Sequence, residues 1–218
     1  MSVEYITTLG SPKQLPNLLN GEYLLEYNQA RIPMLGRSNV GKSSLINALV
    51  HANVAQSSKK AGCTRKIVFY NWKDIKHIIT DLPGYGFAHG PREETIELFD
   101  LIQAYLVSDQ NISTTVLVLD ARHGPTDLDL ETLEFLQGEG INYTLVFSKK
   151  DALKNQKMRS KREKEISKAL KPYDINIKDT FWVSAHTGEG LGLLTDYLRG
   201  TQETRQRQTG DGFAFLNA

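Results

Sequence analysis

Short apolar runs alternate along the chain with longer amphipathic stretches, the pattern of βα units built on a mostly parallel sheet. Runs at 32–35, 67–72, 77–80, 116–119, 143–147 and 181–183, rich in β-branched and aromatic residues, predict six strands. Only Lys73, Asp74, Ile75 and Lys76 separate the second run from the third. Four residues are too few for a helical crossover, so that pair is predicted to be an antiparallel hairpin. The other strands leave room for helices. Leu98, Ile102 and Tyr105, then Leu130, Leu133 and Leu136, then Leu191, Leu194 and Leu198 recur at three- and four-residue intervals, predicting three helices with apolar faces towards the sheet. Residues 157–170 have helical length but few apolar residues among many Lys and Arg, which predicts a mostly solvated helix that stops before Pro172.

A chain of 218 residues, 40% of them hydrophobic, supports one core. The expected architecture is α/β, a mostly parallel six-stranded sheet with one antiparallel strand and helices on both faces. The expected layout is an N-terminal extension at 1–30, a main domain at 31–200 and a C-terminal tail at 201–218. Lys and Arg number 26 against 25 Asp and Glu, a formal net charge of +1, so any basic surface must be local. The single cysteine, Cys63, excludes an internal disulfide framework and fits a reducing compartment. No apolar run reaches the roughly 18–20 residues that span a bilayer, and the N-terminus lacks a charged segment followed by an apolar one. A cytoplasmic protein with no membrane partner is expected.

The most informative stretch is Gly36-Arg37-Ser38-Asn39-Val40-Gly41-Lys42-Ser43, a GxxxxGK(S/T) pattern between a predicted strand and a predicted helix. The two glycines let the backbone curl so that successive N–H groups point at phosphate oxygens, and the helix adds its positive end. Lys42 is suited to bridge β- and γ-phosphates, and the Ser43 hydroxyl to ligate Mg²⁺. Asp81-Leu82-Pro83-Gly84 follows the third strand. There a carboxylate can hold a metal-bound water and Gly84 can offer its N–H to the γ-phosphate. Between the two motifs lies the loop containing Gly62, Cys63, Thr64, Arg65 and Lys66; Thr64 either completes the Mg²⁺ shell or faces solvent.

Ser148-Lys149-Lys150-Asp151 and Val183-Ser184-Ala185 close two later strands, at the carboxyl edge where open α/β sheets bind ligands. Guanine presents N1–H and the 2-amino group together, and the paired oxygens of Asp151 can accept both. Adenine would leave that carboxylate without donors. The stem of Lys149 can lie along the base and the Ala185 N–H can reach O6.

These five elements in this order resemble the G1 to G5 boxes of translation-factor-like GTPases, and GRSNVGKSSLINAL with TDLPGYGFA is similar to the EngB (YsxC/YihA) family over about residues 31–198. Gln14-Leu15-Pro16 resembles that family's short N-terminal extension. The resemblance implies a Ras-like P-loop GTPase fold and binding of GTP or GDP with Mg²⁺. For bacterial members it implies work on a large ribosomal subunit precursor or its rRNA, with a requirement in cell division and septation. By resemblance, residues 36–43 are G1, Thr64 is the switch I threonine within 62–66, Asp81 to Gly84 form G3, and Ser148 to Asp151 are G4. Residues 183–185 are then G5. Ser148 departs from the Asn of most GTPases and the Thr usual in this family, a shorter side chain expected to tie the loop to G1 less firmly. Tyr85 stands where Ras-type enzymes carry the glutamine that orients water.

With no side chain identified to position that water, slow intrinsic hydrolysis is expected. Asn39 resembles the P-loop asparagine that helps hold K⁺ in some related GTPases; the alternative is a hydrogen bond within the loop. Lys59, Lys60, Arg65 and Lys66, with Lys154, Lys157, Arg159, Lys161, Arg162 and Lys164, either meet rRNA phosphates or are simply solvated. His89, His123 and Cys63 are read as loop fillers. Two rival functions remain: a nucleotide-gated binding module with incidental hydrolysis, and a P-loop kinase, which would need a lid and an acceptor pocket the sequence does not present. A monomer is expected.

Overall fold

The computed structural model describes residues 3–19, 29–55, 66–86 and 92–210. Seven strands and six helices appear among them. They follow one another as β1 (Val3–Leu9), α1 (Leu15–Leu19), β2 (Ala30–Gly36), α2 (Lys42–Leu49), β3 (Ile67–Trp72), β4 (His77–Asp81), α3 (Arg92–Ser108), β5 (Thr115–Asp120), α4 (Asp127–Gly138), β6 (Tyr143–Ser148), α5 (Gln156–Leu170), β7 (Phe181–Trp182) and α6 (Leu191–Gly210).

The strands form one sheet in the order β1-β3-β4-β2-β5-β6-β7. β3 alone runs against the others: it is antiparallel to β4, as the four-residue connection requires, and antiparallel to β1. The sheet therefore has seven strands rather than six. The added one comes from the expected N-terminal extension and pairs along its length with β3, from Val3 opposite Trp72 to Leu9 opposite Ile67. Its sequence gives little warning, because only Val3 and Leu9 of the seven residues are buried.

The interior strands are apolar on both faces because helices cover both. Alternation sorts their side chains. Leu35, Phe69, Ile78, Leu117, Leu119, Leu145 and Phe147 pack with Leu101, Ile102 and Tyr105 of α3, Leu133 and Leu136 of α4, and Ile166 and Leu170 of α5. Met34, Tyr70, Trp72, Ile79, Val116, Val118 and Val146 pack on the other side with Leu45, Ile46 and Leu49 of α2 and Leu194 and Leu198 of α6. Each fully buried side chain of this size contributes roughly 1.5–3 kcal/mol.

The predicted solvated helix is α5, where only Ile166 and Leu170 are buried. The parallel strands bring the residues that end β2, β4, β5 and β6 to one edge, with Met34 beside Asp81, Gly36 beside Val118, and Asp120 beside Ser148.

Candidate functional site

Gly36 ends β2 where no side chain fits: a Cβ there would stand 2.6 Å from the Val118 carbonyl oxygen. The chain then turns through Asn39 at φ 66°, a left-handed conformation that Asn tolerates, and Gly41 at φ 99°. Gly41 caps α2, and the first helical bond runs from Leu45 N–H to its carbonyl. The N–H groups of 42–44 consequently have no intrahelical acceptor and face the loop interior at the positive end of the helix. Ser43 is half-buried.

Lys42 and Asp81 are both buried and form an ion pair, Lys42 at 8% and Asp81 at 3% exposure. The segment after Asp81 lies against the loop. Ser38 N–H donates to the Tyr85 carbonyl at 3.0 Å and its hydroxyl to the Gly84 carbonyl at 3.3 Å. A Cβ on Gly84 would be 3.0 Å from Ser38 N, so the contact depends on glycine.

Ser148 corrects the expectation of a weak tie. Its hydroxyl lies 2.5 Å from the Val40 carbonyl and 3.1 Å from that of Leu119, spanning from the end of β6 into the 36–43 loop. A second link comes from Lys149, held at φ 58°, whose ammonium donates to the Asn39 carbonyl and, at 2.9 Å, to Asp120 Oδ2. Lys150 binds the following loop, its N–H donating to the Val183 carbonyl at 3.0 Å and its ammonium lying 2.8 Å from Glu189 Oε1. Ser184 Oγ accepts from Thr187 N–H at 3.1 Å, shaping the turn that presents Ala185. The result is a cleft of about 600 Å³ whose lining includes Gly41, Ser44, Ser148, Lys149, Asp151 and Ala185. Asn47 and His51 of α2 extend it.

Gly62, Cys63, Thr64 and Arg65, with His89, Lys59 and Lys60, lie outside the described residues; Lys66 is exposed at the entrance to β3. Arg37 is half-buried, Val40 and Leu82 are buried in the core, and Pro83 is buried too. The exposed Asn39 side chain makes no hydrogen bond among the described residues.

Two carboxylates escaped the sequence reading. Asp120, at the end of β5, accepts three hydrogen bonds from Arg122 side-chain nitrogens, one from its backbone N–H and one from Lys149. Burial opposes its ionisation, but the bonds from Arg122 and Lys149 outweigh it and hold the carboxyl well below the usual range. Its place at the carboxyl end of a central strand, the criterion that picked out Asp81, was the available signal. Asp129, on α4, collects Arg37 Nε at 3.0 Å, Tyr85 hydroxyl at 2.8 Å, and the Thr126 N–H and hydroxyl at 2.9 and 2.8 Å. The Thr126 contacts form a capping box that sequence spacing permits; the other two join distant loops.

A P-loop set at the carboxyl edge of this sheet, with strand-ending loops closing a cleft beside it, defines a P-loop GTPase. The sequence model of the family described as 50S ribosome-binding GTPases matches residues 31–149. The EngB GTP-binding protein of Halothermothrix orenii is 41% identical over 79% of this chain and 85% of its own length, and that of Thermotoga maritima 34% identical over 90% and 94%. The chain belongs to the EngB family. A solved EngB structure, 29% identical, superposes with a TM-score of 0.66 over 80% of this chain and all of that one. Era of Aquifex aeolicus bound to GDP and AlF₄⁻, 22% identical, shares the fold with a TM-score of 0.64 over 79% of this chain and 56% of its own. Among the described residues no helix is long and apolar enough to cross a membrane.

Proposed function

We propose that this protein is a cytoplasmic, monomeric GTP switch that hydrolyses GTP slowly with Mg²⁺ and acts in assembly of the large ribosomal subunit, with a consequent requirement in cell division and septation. The observation that carries the nucleotide reading is a cleft lined together by Gly41 of the P-loop, Ser44 of α2, and Ser148, Lys149, Asp151 and Ala185. Phosphates are held by residues 36–43 and guanine by Asp151, Lys149 and the Ala185 N–H. Membership of the family of 50S ribosome-binding GTPases supports the ribosomal part.

The donors available suit a hard cation. A hydroxyl from Ser43 and a water-mediated carboxylate from Asp81 leave the remaining positions to phosphate oxygens, Thr64 and water, the usual manner of Mg²⁺. Bound Mg²⁺ neutralises charge developing on the transferred phosphoryl group. Nucleotide phosphate would compete with Asp81 for Lys42, which would free the carboxylate to hold a metal-bound water. The Asn39 side chain, exposed and without a hydrogen bond among the described residues, would be placed to help hold a K⁺ ion. Residues 31–200 are read as the switch domain, flanked by the extension at 1–30 and the tail at 201–218.

Binding of labelled GTP, GDP and ATP to wild type and to Asp151→Asn, with xanthine nucleotides as a control, tests this reading. Guanine selectivity that moves towards xanthine in the variant is expected; equal or better ATP binding by wild type overturns it and returns the kinase alternative.

A further inference from the structure

Residues 154–171 carry eight Lys and Arg against two Glu in a chain whose net charge is only +1. The structure divides these cations into two groups. Both arginines serve the fold: Arg159 Nε donates to the Leu153 carbonyl at 3.1 Å, and Arg162 reaches the His123 carbonyl at 3.3 Å and Glu165 at 2.8 Å. The lysines do not. Lys157, Lys161, Lys164 and Lys168 are exposed and follow one another at intervals of four, three and four along α5, with Lys154 before the helix and Lys171 after it continuing the series. That spacing puts them on one strip of helix surface, opposite the buried Ile166 and Leu170. Only Lys161 has a carboxylate within ion-pair distance among the described residues, Glu165 at 3.9 Å.

At a rise of 1.5 Å per residue the charges recur about every 5 Å, and Lys157 to Lys168 spans roughly 16 Å. A straight file of ammonium groups, only one of them paired with a carboxylate among the described residues, suits the run of phosphates along a nucleic-acid backbone. An anionic bilayer is a poorer match, because a helix that lies on lipid needs an apolar face to insert, and the apolar residues of α5 are in the protein core. A protein partner is poorer too, since interface centres are depleted in Lys and rely on aromatic or Arg anchors, and no aromatic residue lies on α5. Without an aromatic platform the surface has no means of stacking unpaired bases.

We infer that the lysine file of α5 is an RNA-binding surface that grips the phosphate backbone of helical RNA without reading its sequence. This deepens the ribosomal reading above and rests on it for the identity of that RNA. The file lies on a helix that starts just after the base-reading loop, and its Arg162 is fastened to the loop that follows Asp120. The surface is thereby attached to the nucleotide-binding edge.

The test compares the full chain with the variant carrying Lys157→Gln, Lys161→Gln, Lys164→Gln and Lys168→Gln. Probes are an RNA hairpin of about 20 base pairs and arbitrary sequence, long enough to span the file, purified 50S subunits, and phosphatidylglycerol vesicles. GDP binding serves as the folding control and should be unchanged. We expect hairpin binding about 10- to 100-fold weaker in the variant near 0.1 M salt, with the logarithmic salt slope smaller by about 3 to 4, and weaker binding to 50S subunits. A variant that binds the hairpin with wild-type affinity and slope overturns the inference, as does wild-type protein that ignores the hairpin or prefers the vesicles. The ribosomal reading fails separately: wild type that binds the hairpin through these lysines yet ignores 50S subunits leaves the surface standing and removes its proposed target.

Discussion

The hydroxyl of Tyr85 donates to Asp129 Oδ1 at 2.8 Å, within a buried contact between the segment after Asp81 and the first turn of α4. The same carboxylate takes Arg37 of the P-loop through its other oxygen. Burial, and beside it the Asp129 charge, pushes the Tyr85 phenol far above its ordinary range, so it stays a neutral donor. In this arrangement the residue at the position of the Ras glutamine is a structural tie between loops.

Tyr85→Phe therefore separates a structural from a catalytic hydroxyl. Losing one donor to a buried carboxylate should cost about 1–3 kcal/mol of stability, read from urea unfolding. A hydroxyl that positioned the attacking water would lower turnover on the order of 100-fold or more. We expect a far smaller change per folded molecule; a drop of that size would return Tyr85 to the chemistry.

Ser148→Ala removes the direct link between β6 and the Val40 carbonyl. Stability should fall by about 1–2 kcal/mol. Because the link joins the loop proposed to read the base to the P-loop, GDP affinity measured by calorimetry should weaken by up to about tenfold. Ser148→Thr, which keeps the hydroxyl, should restore both; an alanine variant equal to wild type in both would show that the link is idle.

The pH dependence of stability should carry the mark of His77. Its ring is fully buried, Nδ1–H donating to the Ile75 carbonyl at 2.7 Å and Nε2 lying 3.4 Å from the Thr201 hydroxyl on α6. Burial lowers its pKa from the ordinary 6.5 despite the opposing pull of the Ile75 carbonyl. Below pH 6.5 the unfolded chain takes up a proton that the folded one refuses, so stability declines from there down to the lowered folded value and is flat above. Urea midpoints between pH 5 and 8 should show this decline in wild type and a shallower one in His77→Gln.

What the sequence disclosed and what it hid follow from the range of the interactions involved. Gly36, Gly41 and Lys42 were readable because the phosphate loop is a local structure whose strand and helix lie within a few residues on either side. The strand ends at Asp81 and Ser148 were readable from apolar runs buried on both faces. β1 was not, since an edge strand with buried residues only at Val3 and Leu9 has neither the length of apolar run nor the alternation that marks a strand. Asp129 drew no notice in the sequence, and its partners Arg37 and Tyr85, 92 and 44 residues away, are known only from the fold. A less firm tie to G1 is expected of Ser148 from sequence because its side chain is measured against Asn and Thr. In the fold the Val40 carbonyl comes to it.

The links from Ser148 to Val40 and from Lys149 to Asn39 and Asp120 tie the segments that follow β2, β5 and β6 to one another. That side of the cleft is thus assembled during folding, and under the proposed function it would meet guanine alike whichever phosphate chain follows. GDP and GTP should be equal at that end. Under the proposed function, the free-energy difference between the two nucleotide states would then arise on the phosphate side, where the Asp81 to Tyr85 segment meets the P-loop at Ser38, so that identity and state would be read by physically separate parts of one small domain.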